Sequence, residues 1–175
     1  MGKALLVVDV QEGVYAFDGQ AAFDGPEMIA VINRLIARAR ESGAPVIFVR
    51  HEDEYLAHGS EPWEVVPDLD VQAGDMFVNK RHGSAFHETP LREHLRSLGI
   101  QEIVLCGMQT EYCIDSTFRH ALTLGYKVEL VRDGHTTFDS PVLTARQIVD
   151  HHNQVFSGYA PVRPAEAIRF TSEED

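Results

Sequence analysis

Short apolar runs alternate with stretches of helical periodicity along this chain of 175 residues. The apolar runs predict strands, which cover residues 4–8, 45–49, 76–79, 103–106 and 127–131. Between them, apolar residues recur at helical spacing in segments that begin after Asp24-Gly25, Thr89-Pro90, Thr110 and Ser140-Pro141. Glycines at positions 43, 99 and 125 end the first three of these helices. The pattern therefore predicts strands and helices in alternation.

The strands are apolar at successive positions, which is typical of parallel strands that are covered on both faces. We therefore expect an α/β protein with three α/β/α layers and a mainly parallel, Rossmann-like sheet of about six strands. The length suits a single domain over residues 1–175. After Phe156 the pattern predicts an irregular tail with a short strand, and Ser172 to Asp175 are expected to be frayed.

Residues 51–74 mix polar, aromatic and turn residues without a clear period, which predicts a long loop. Long loops in compact domains are often functional. Trp63 is the only tryptophan and either walls a pocket or anchors this loop. His51, Asp53 and His58 carry metal-ligand groups, although such residues in a polar loop are ordinarily solvated.

Composition narrows the classes of partner. The net charge is −12, with 27 acidic and 15 basic residues, which argues against nucleic acid or an anionic membrane as the main partner. No apolar stretch is long enough to span a bilayer, and the first apolar run meets Asp9 too early for a signal peptide. Cys106 and Cys113 are too few for a disulfide framework, so we expect free thiols in a cytoplasmic protein.

Three chemically different side chains follow the predicted strands. Asp9 ends the first strand, Lys80 follows the strand at 76–79, and Cys113 lies at the helix start after the strand at 103–106. Ligands of parallel sheets bind beyond the carboxyl ends of the strands, so these groups are expected to meet at one edge. A thiol in the first turn of a helix is expected to ionise readily, and its thiolate is a nucleophile. Asp9 could exchange the proton, Lys80 could hold Asp9, and backbone N–H groups near Gln109 and Cys113 could bind an oxyanion.

Each of these residues also has a plainer interpretation. An aspartate at the end of a strand often caps a loop or helix, and a lysine after a short strand is usually solvated. A cysteine at a helix start is more often structural than reactive, and Cys106 within an apolar strand fits the core. The residues alone leave both interpretations of Asp9, Lys80 and Cys113 open.

Several motifs, in order along nearly the whole chain, are similar to those of one superfamily. They are Asp9-Val10-Gln11, Lys80, Ser84-Ala85-Phe86, Gly107-Met108-Gln109-Thr110-Glu111-Tyr112-Cys113 and Gly125-Tyr126-Lys127-Val128. The chain thereby resembles the isochorismatase-like cysteine hydrolases, which include nicotinamidases, N-carbamoylsarcosine amidohydrolases and streptothricin hydrolases. The resemblance implies their hydrolase fold and a homo-oligomer, a dimer or tetramer.

The resemblance also implies roles for individual residues. Cys113, Asp9 and Lys80 would form a catalytic triad. The Met108–Gln109 peptide bond would be cis, with the backbone N–H groups of Gln109 and Cys113 as the oxyanion hole. We expect five residues to contact the substrate: Gln11, Tyr15, Phe17, Trp63 and Thr110.

The cysteine separates two kinds of superfamily member. Those that hydrolyse the isochorismate vinyl ether lack it, whereas those that cleave amides have it, so Cys113 favours attack on a C–N bond. We expect a metal-independent, cofactor-free cysteine hydrolase of a small amide, lactam or ureido-type molecule, acting through a thioester. Nicotinamidases carry Asp-x-His and a further His, whereas this chain reads His51-Glu52-Asp53.

Two alternatives therefore stay open: a metal-assisted nicotinamidase-type amidase, and a non-catalytic or redox scaffold that keeps the fold. A receiver-type signalling module fits poorly, because Asp9 is followed by Val10 rather than by a second acid.

Overall fold

The computed structural model describes residues 2–171, so the expectation for Ser172 to Asp175 lies outside the described residues. The strands of this part are β1 (Gly2–Val8), β2 (Ala16–Phe17), β3 (Gln20–Ala21), β4 (Val46–His51), β5 (Met76–Lys80), β6 (Ile100–Met108), β7 (Lys127–Thr136) and β8 (Val162–Arg163). Its α-helices are α1 (Glu12–Tyr15), α2 (Gly25–Glu41), α3 (Leu91–Ser97), α4 (Asp115–Thr123) and α5 (Ala145–Phe156). Short helical turns also occur at Glu61–Trp63, Thr110–Ile114 and Ala165–Ala167.

Six of the strands form one sheet in the order β5-β4-β1-β6-β7-β8, and every pairing in it is parallel. The strands β2 and β3 form a separate antiparallel hairpin. The prediction of a parallel sheet of about six strands within an α/β fold is confirmed. Because all six strands point the same way, the residues that follow them collect at one edge.

The central strand β1 is apolar throughout because both of its faces are buried. Leu5 and Val7 pack into a core with α2, whereas Leu6 and Val8 pack into a second core with α3 and α4. Fully burying one such aliphatic side chain contributes about 1.5–3 kcal/mol. The helices thus cover both faces of the sheet and make the α/β/α layers. None of the helices within residues 2–171 is both long and apolar enough to cross a membrane.

The last long helix begins later than predicted. Ser140-Pro141 was expected to start it, but α5 begins at Ala145, after the N-cap residue Thr144. Thr144 and Gln147 form a reciprocal capping box, which satisfies N–H groups that a helix start leaves unpaired. The Ser140 hydroxyl instead accepts the Leu143 N–H at 2.9 Å and closes a separate turn. The expected start was wrong because two capping signals lie close together in the sequence.

Candidate active site

The backbone conformation at the end of β1 directs the Asp9 side chain into the protein interior. Asp9 follows β1 with φ 52°, a left-handed conformation that is uncommon for a residue other than glycine. Its backbone N–H donates to the Val49 carbonyl at 2.9 Å and continues the pairing with β4. The side chain is buried, and its Oδ1 atom has no hydrogen-bond partner among the described residues. A buried carboxylate oxygen is therefore available to accept a proton.

Lys80 connects the predicted residues. It is the last residue of β5, and its side chain is fully buried. Its Nζ atom lies 2.8 Å from Asp9 Oδ2 and 3.2 Å from Cys113 Sγ. The structure thus brings Asp9, Lys80 and Cys113, predicted from three separate strand ends, into contact around one ammonium group.

The turn that carries Cys113 differs from the predicted helix start. Residues Thr110–Ile114 form a π-helical turn, and α4 follows it. Gly107, before the turn, has φ +121°, and a Cβ atom there would lie 2.1 Å from the Val8 carbonyl oxygen. Only glycine permits this close approach of β6 to the end of β1, beside Asp9. The Met108–Gln109 peptide bond is cis, as the resemblance implies.

Burial and charge set the protonation of the resting site. Burial, followed by the nearby Asp9 carboxylate, raises the pKa of Cys113 to about 12. For Lys80, burial lowers the pKa, but Asp9 and Cys113 outweigh it, so the pKa is raised. The resting site therefore holds a neutral thiol beside an ammonium group. The expectation that Cys113 ionises readily was wrong, because burial and the Asp9 carboxylate oppose the thiolate more strongly than Lys80 favours it.

His51 joins this group of side chains. Its Nδ1 atom lies 3.1 Å from Lys80 Nζ, and its Nε2 atom lies 3.4 Å from Asp53 Oδ2. Burial lowers the pKa of His51, and the Lys80 ammonium lowers it further. The imidazole is therefore neutral around pH 7 and accepts a hydrogen bond from Lys80 through Nδ1.

Three side chains of kinds that can ligate a metal lie close together around Lys80. One ligand atom each of Asp9, His51 and Cys113 lie within 4.8 Å of one another. The Lys80 ammonium, however, lies within 3.2 Å of all three residues, so their common cation is this ammonium group. His58, the third member of the metal hypothesis, instead lies 3.2 Å from a Glu52 carboxylate oxygen. A metal here would have to displace Lys80 from its acceptors.

A second cluster of residues that could ligate a metal lies in the loop after β5. His82 Nε2 lies 3.0 Å from a Glu88 carboxylate oxygen, and ligand atoms of His82, His87 and Glu88 lie within 4.8 Å of one another. The two imidazole rings are stacked at 3.9 Å, with 17° between their planes. An ion equidistant from both nitrogens would lie outside both ring planes, away from the lone pairs. The rings are therefore not arranged to ligate one metal.

A buried histidine supports the turn around Gln109. The Thr110 hydroxyl lies 2.8 Å from His135 Nδ1, and His135 Nε2 lies 2.9 Å from Asn153 Oδ1. Burial lowers the pKa of His135 to about 4. The neutral ring therefore accepts from Thr110, donates to Asn153 and ties the turn to α5. Sequence reasoning did not assign this role to His135; its place after a predicted strand was the available signal.

A family model described as the isochorismatase domain matches residues 3–162. The chain belongs to the isochorismatase family. Streptothricin hydrolase from Streptomyces noursei is 32% identical over 142 residues, a match that covers 79% of this chain and 56% of that enzyme. The chain thus spans little more than half the length of this relative.

Solved structures of the isochorismatase family share the fold over nearly the whole chain. A structure described as an isochorismatase family protein is 36% identical, with a TM-score of 0.89, and the match covers 92% of this chain and 96% of that one. N-carbamoylsarcosine amidase from Thermoplasma acidophilum is 26% identical, with a TM-score of 0.79. That match covers 96% of this chain and 99% of the amidase.

Three of the five expected substrate contacts have buried side chains in this isochorismatase-family protein. The Gln11 amide group donates to the carbonyls of His51 and Trp63, at 2.9 and 2.8 Å, and accepts the His51 N–H. Trp63 lies under the Arg50 guanidinium, 3.7 Å from the ring centre, so it anchors the long loop. Thr110 is bound to His135. These contacts hold the site together.

Two clefts open at this edge of the isochorismatase-family fold. One, of about 670 Å³, is lined by Phe17, Phe23, Phe138 and the oxyanion-hole candidate Gln109, among others. Phe17 is 60% exposed, and it remains a candidate contact. The other, of about 420 Å³, is lined by Glu52, Asp53, Glu54, His58 and Arg81. Tyr15 packs against the backbone of Gly25 at the base of the β2–β3 hairpin.

Proposed function

We propose that this isochorismatase-family protein is a cysteine hydrolase that cleaves a C–N bond of a small amide, lactam or ureido-type molecule. The observation that carries the proposal is the Lys80 ammonium, which contacts both the Asp9 carboxylate and the Cys113 sulfur within 3.2 Å. A nucleophile, a proton acceptor and a fixed positive charge are the groups that thioester chemistry needs.

The proposed first step joins Cys113 to the substrate. Asp9 accepts the thiol proton while the sulfur attacks the carbonyl carbon, and Lys80 stabilises the negative charge that develops on the sulfur. The N–H groups of Gln109 and Cys113 stabilise the resulting oxyanion, a contribution of about 10²- to 10³-fold per donor in known cases. Asp9 then returns the proton to the departing nitrogen, which leaves a thioester and a free amine or ammonia.

The second step regenerates the enzyme. Asp9 removes a proton from a water molecule, the water oxygen attacks the thioester carbonyl, and the Cys113 sulfur leaves and regains the proton. Lys80 stays protonated throughout, which agrees with its raised pKa. The high pKa of Cys113 is compatible with this sequence, because the thiol loses its proton to Asp9 during the attack and not beforehand.

The relatives support the substrate class. The names of two of them specify streptothricin and N-carbamoylsarcosine, and an N-carbamoyl group is a ureido group. The aromatic cleft beside Gln109 suits a small molecule with an apolar part. The resemblance also supports a dimer or tetramer, and size-exclusion chromatography with light scattering measures that state.

A panel screen tests the proposal. Wild-type protein and Cys113→Ala are each incubated with primary amides, ureides and lactams, with and without a chelator. Ammonia release reports the first two classes, and mass spectrometry reports ring opening of the lactams. We expect turnover of at least one class by wild type, none by Cys113→Ala, and no effect of the chelator. Full activity of Cys113→Ala excludes the thioester route, and loss of activity with the chelator favours the nicotinamidase-type alternative.

A further inference from the structure

The register of the sheet brings His51 to the catalytic lysine. His51 is the last residue of β4, and in the parallel pairing of β4 with β5 its partner is Lys80. Gln11 holds the His51 backbone from both sides, since it accepts the N–H at 2.8 Å and donates to the carbonyl at 2.9 Å. The imidazole is thus held beside the ammonium group, with Nδ1 at 3.1 Å from Nζ.

Lys80 has more acceptors than protons. An ammonium group has three N–H donors. Four acceptors lie within 3.2 Å of Nζ: Asp9 Oδ2, His51 Nδ1, the His82 carbonyl oxygen and Cys113 Sγ. A thiol sulfur is a weak acceptor, whereas a thiolate is charged and accepts more strongly. Four acceptors therefore share three N–H groups, and the sulfur competes for them least well while Cys113 is a thiol.

We propose that His51 is a positioning residue for Lys80. Its neutral imidazole holds one N–H of the ammonium group through Nδ1 and gives that N–H up to the Cys113 sulfur as the thiolate forms. No covalent bond changes in this exchange, and Lys80 stays protonated. The inference rests on the proposed function, because it needs Cys113 as the nucleophile.

Asp53 faces the other ring nitrogen of His51. Nδ1 can accept from Lys80 only if the ring proton is on Nε2, and Asp53 Oδ2 lies 3.4 Å from that atom. The other oxygen of Asp53 accepts the backbone N–H groups of Tyr55 and Leu56, at 2.8 and 2.7 Å. The carboxylate is therefore held in place by its own loop.

This arrangement predicts a loss of activity in acid. The charged or titratable groups that face the ring are Lys80 on β5, Asp9 after β1, Asp53 in its own loop and the Cys113 thiol. Protonation of Nδ1 would remove the acceptor and put an imidazolium beside the ammonium group. Burial and Lys80 lower the pKa of His51, so this loss sets in below the ordinary titration range of histidine.

The experiment compares pH profiles of kcat/KM for wild type, His51→Ala and His51→Asn, on the panel substrate that wild type turns over. Asparagine offers a carbonyl oxygen near the position of Nδ1 but does not titrate. At pH 8 we expect His51→Ala to be about 10- to 100-fold slower, the effect of losing a hydrogen bond to a charged group. His51→Asn should stay within about threefold of wild type and should lack the decline that wild type shows below the ordinary titration range of histidine. His151→Asn, on the exposed part of α5, is the matched control and should follow wild type.

Two results overturn the inference: wild-type kcat/KM in His51→Ala, or an unchanged acid decline in His51→Asn. If His51→Ala does not fold, the profile of His51→Asn decides alone. Failure of the proposed function looks different, because Cys113→Ala would then retain activity whatever stands at position 51.

Discussion

Replacing Asp9 by asparagine should raise the reactivity of the Cys113 thiol towards an alkylating agent while it lowers turnover of substrate. Reacting atoms of Asp9 and Cys113 lie within 4.8 Å of each other. At that distance, with an effective dielectric constant of ~20, the carboxylate disfavours a thiolate by about 3.5 kcal/mol. Asp9→Asn removes this repulsion and leaves the Lys80 ammonium beside the sulfur at 3.2 Å. The thiolate population should then rise by about 300-fold.

The assay is the rate of carboxamidomethylation by iodoacetamide at pH 7.5, followed by mass spectrometry of the peptide that contains Cys113. A thiolate of lower basicity is also a weaker nucleophile, with a Brønsted coefficient of ~0.45, so the expected gain in rate is about 20- to 30-fold. Asp9→Asn should at the same time lose turnover by about 10²- to 10⁴-fold, because it removes the proposed proton acceptor.

Two controls belong to this measurement. Cys106 is fully buried and serves as the unreactive internal reference, and Asp150→Asn, an exposed neutralisation on α5, should leave the rate unchanged. An alkylation rate in Asp9→Asn equal to or below that of wild type would refute the electrostatic reasoning, because the carboxylate would then not be what opposes the thiolate.

Three further outcomes follow from the structure. Lys80→Met should lower the free energy of unfolding in urea by about 3–5 kcal/mol, because it leaves Asp9 buried and unpaired. Adding Asp9→Asn should recover much of this loss, and an equal loss in the single and double variants would contradict the prediction. As the pH falls from 6.5 to 4, wild type should lose about 3 kcal/mol of stability relative to His135→Asn. The pKa of about 4 keeps the His135 ring neutral in the folded protein, whereas the ring binds a proton in the unfolded chain. Parallel curves of stability against pH for the two proteins would contradict this prediction. Gly107→Ala should lower the free energy of unfolding by at least about 3 kcal/mol, because its Cβ would overlap the β1 backbone. Gly99→Ala, where φ is positive but the surrounding space is open, should lower it by only about 1–2 kcal/mol. Similar losses in the two variants would show that the close approach at Gly107 is not limiting.

The fold and the three central residues could be predicted because their signals are local. The apolar runs indicate buried parallel strands, and parallel strands necessarily collect their carboxyl ends at one edge. Asp9, Lys80 and Cys113 each follow such an end, and the resemblance joins them into one triad. Their contact follows from topology and needs no knowledge of side-chain packing.

Roles that depend on register or packing could not be predicted. His51 was considered as a metal ligand, but its alignment with Lys80 depends on the register between β4 and β5, which the sequence does not specify. Gln11 and Thr110 were expected to contact the substrate, whereas buried hydrogen bonds turn both inward. The high pKa of Cys113 likewise arises from burial and from a carboxylate that is distant in sequence.

The central claim, that Cys113 forms a covalent thioester, is tested most directly by trapping the intermediate. Wild-type protein is quenched in acid during turnover of the panel substrate, and intact and peptide masses are measured. We predict an added mass equal to the acyl part of the substrate on the peptide that contains Cys113, and no adduct in Cys113→Ala. Turnover by wild type that leaves every quenched peptide unmodified, together with undiminished turnover by Cys113→Ala, would contradict the account.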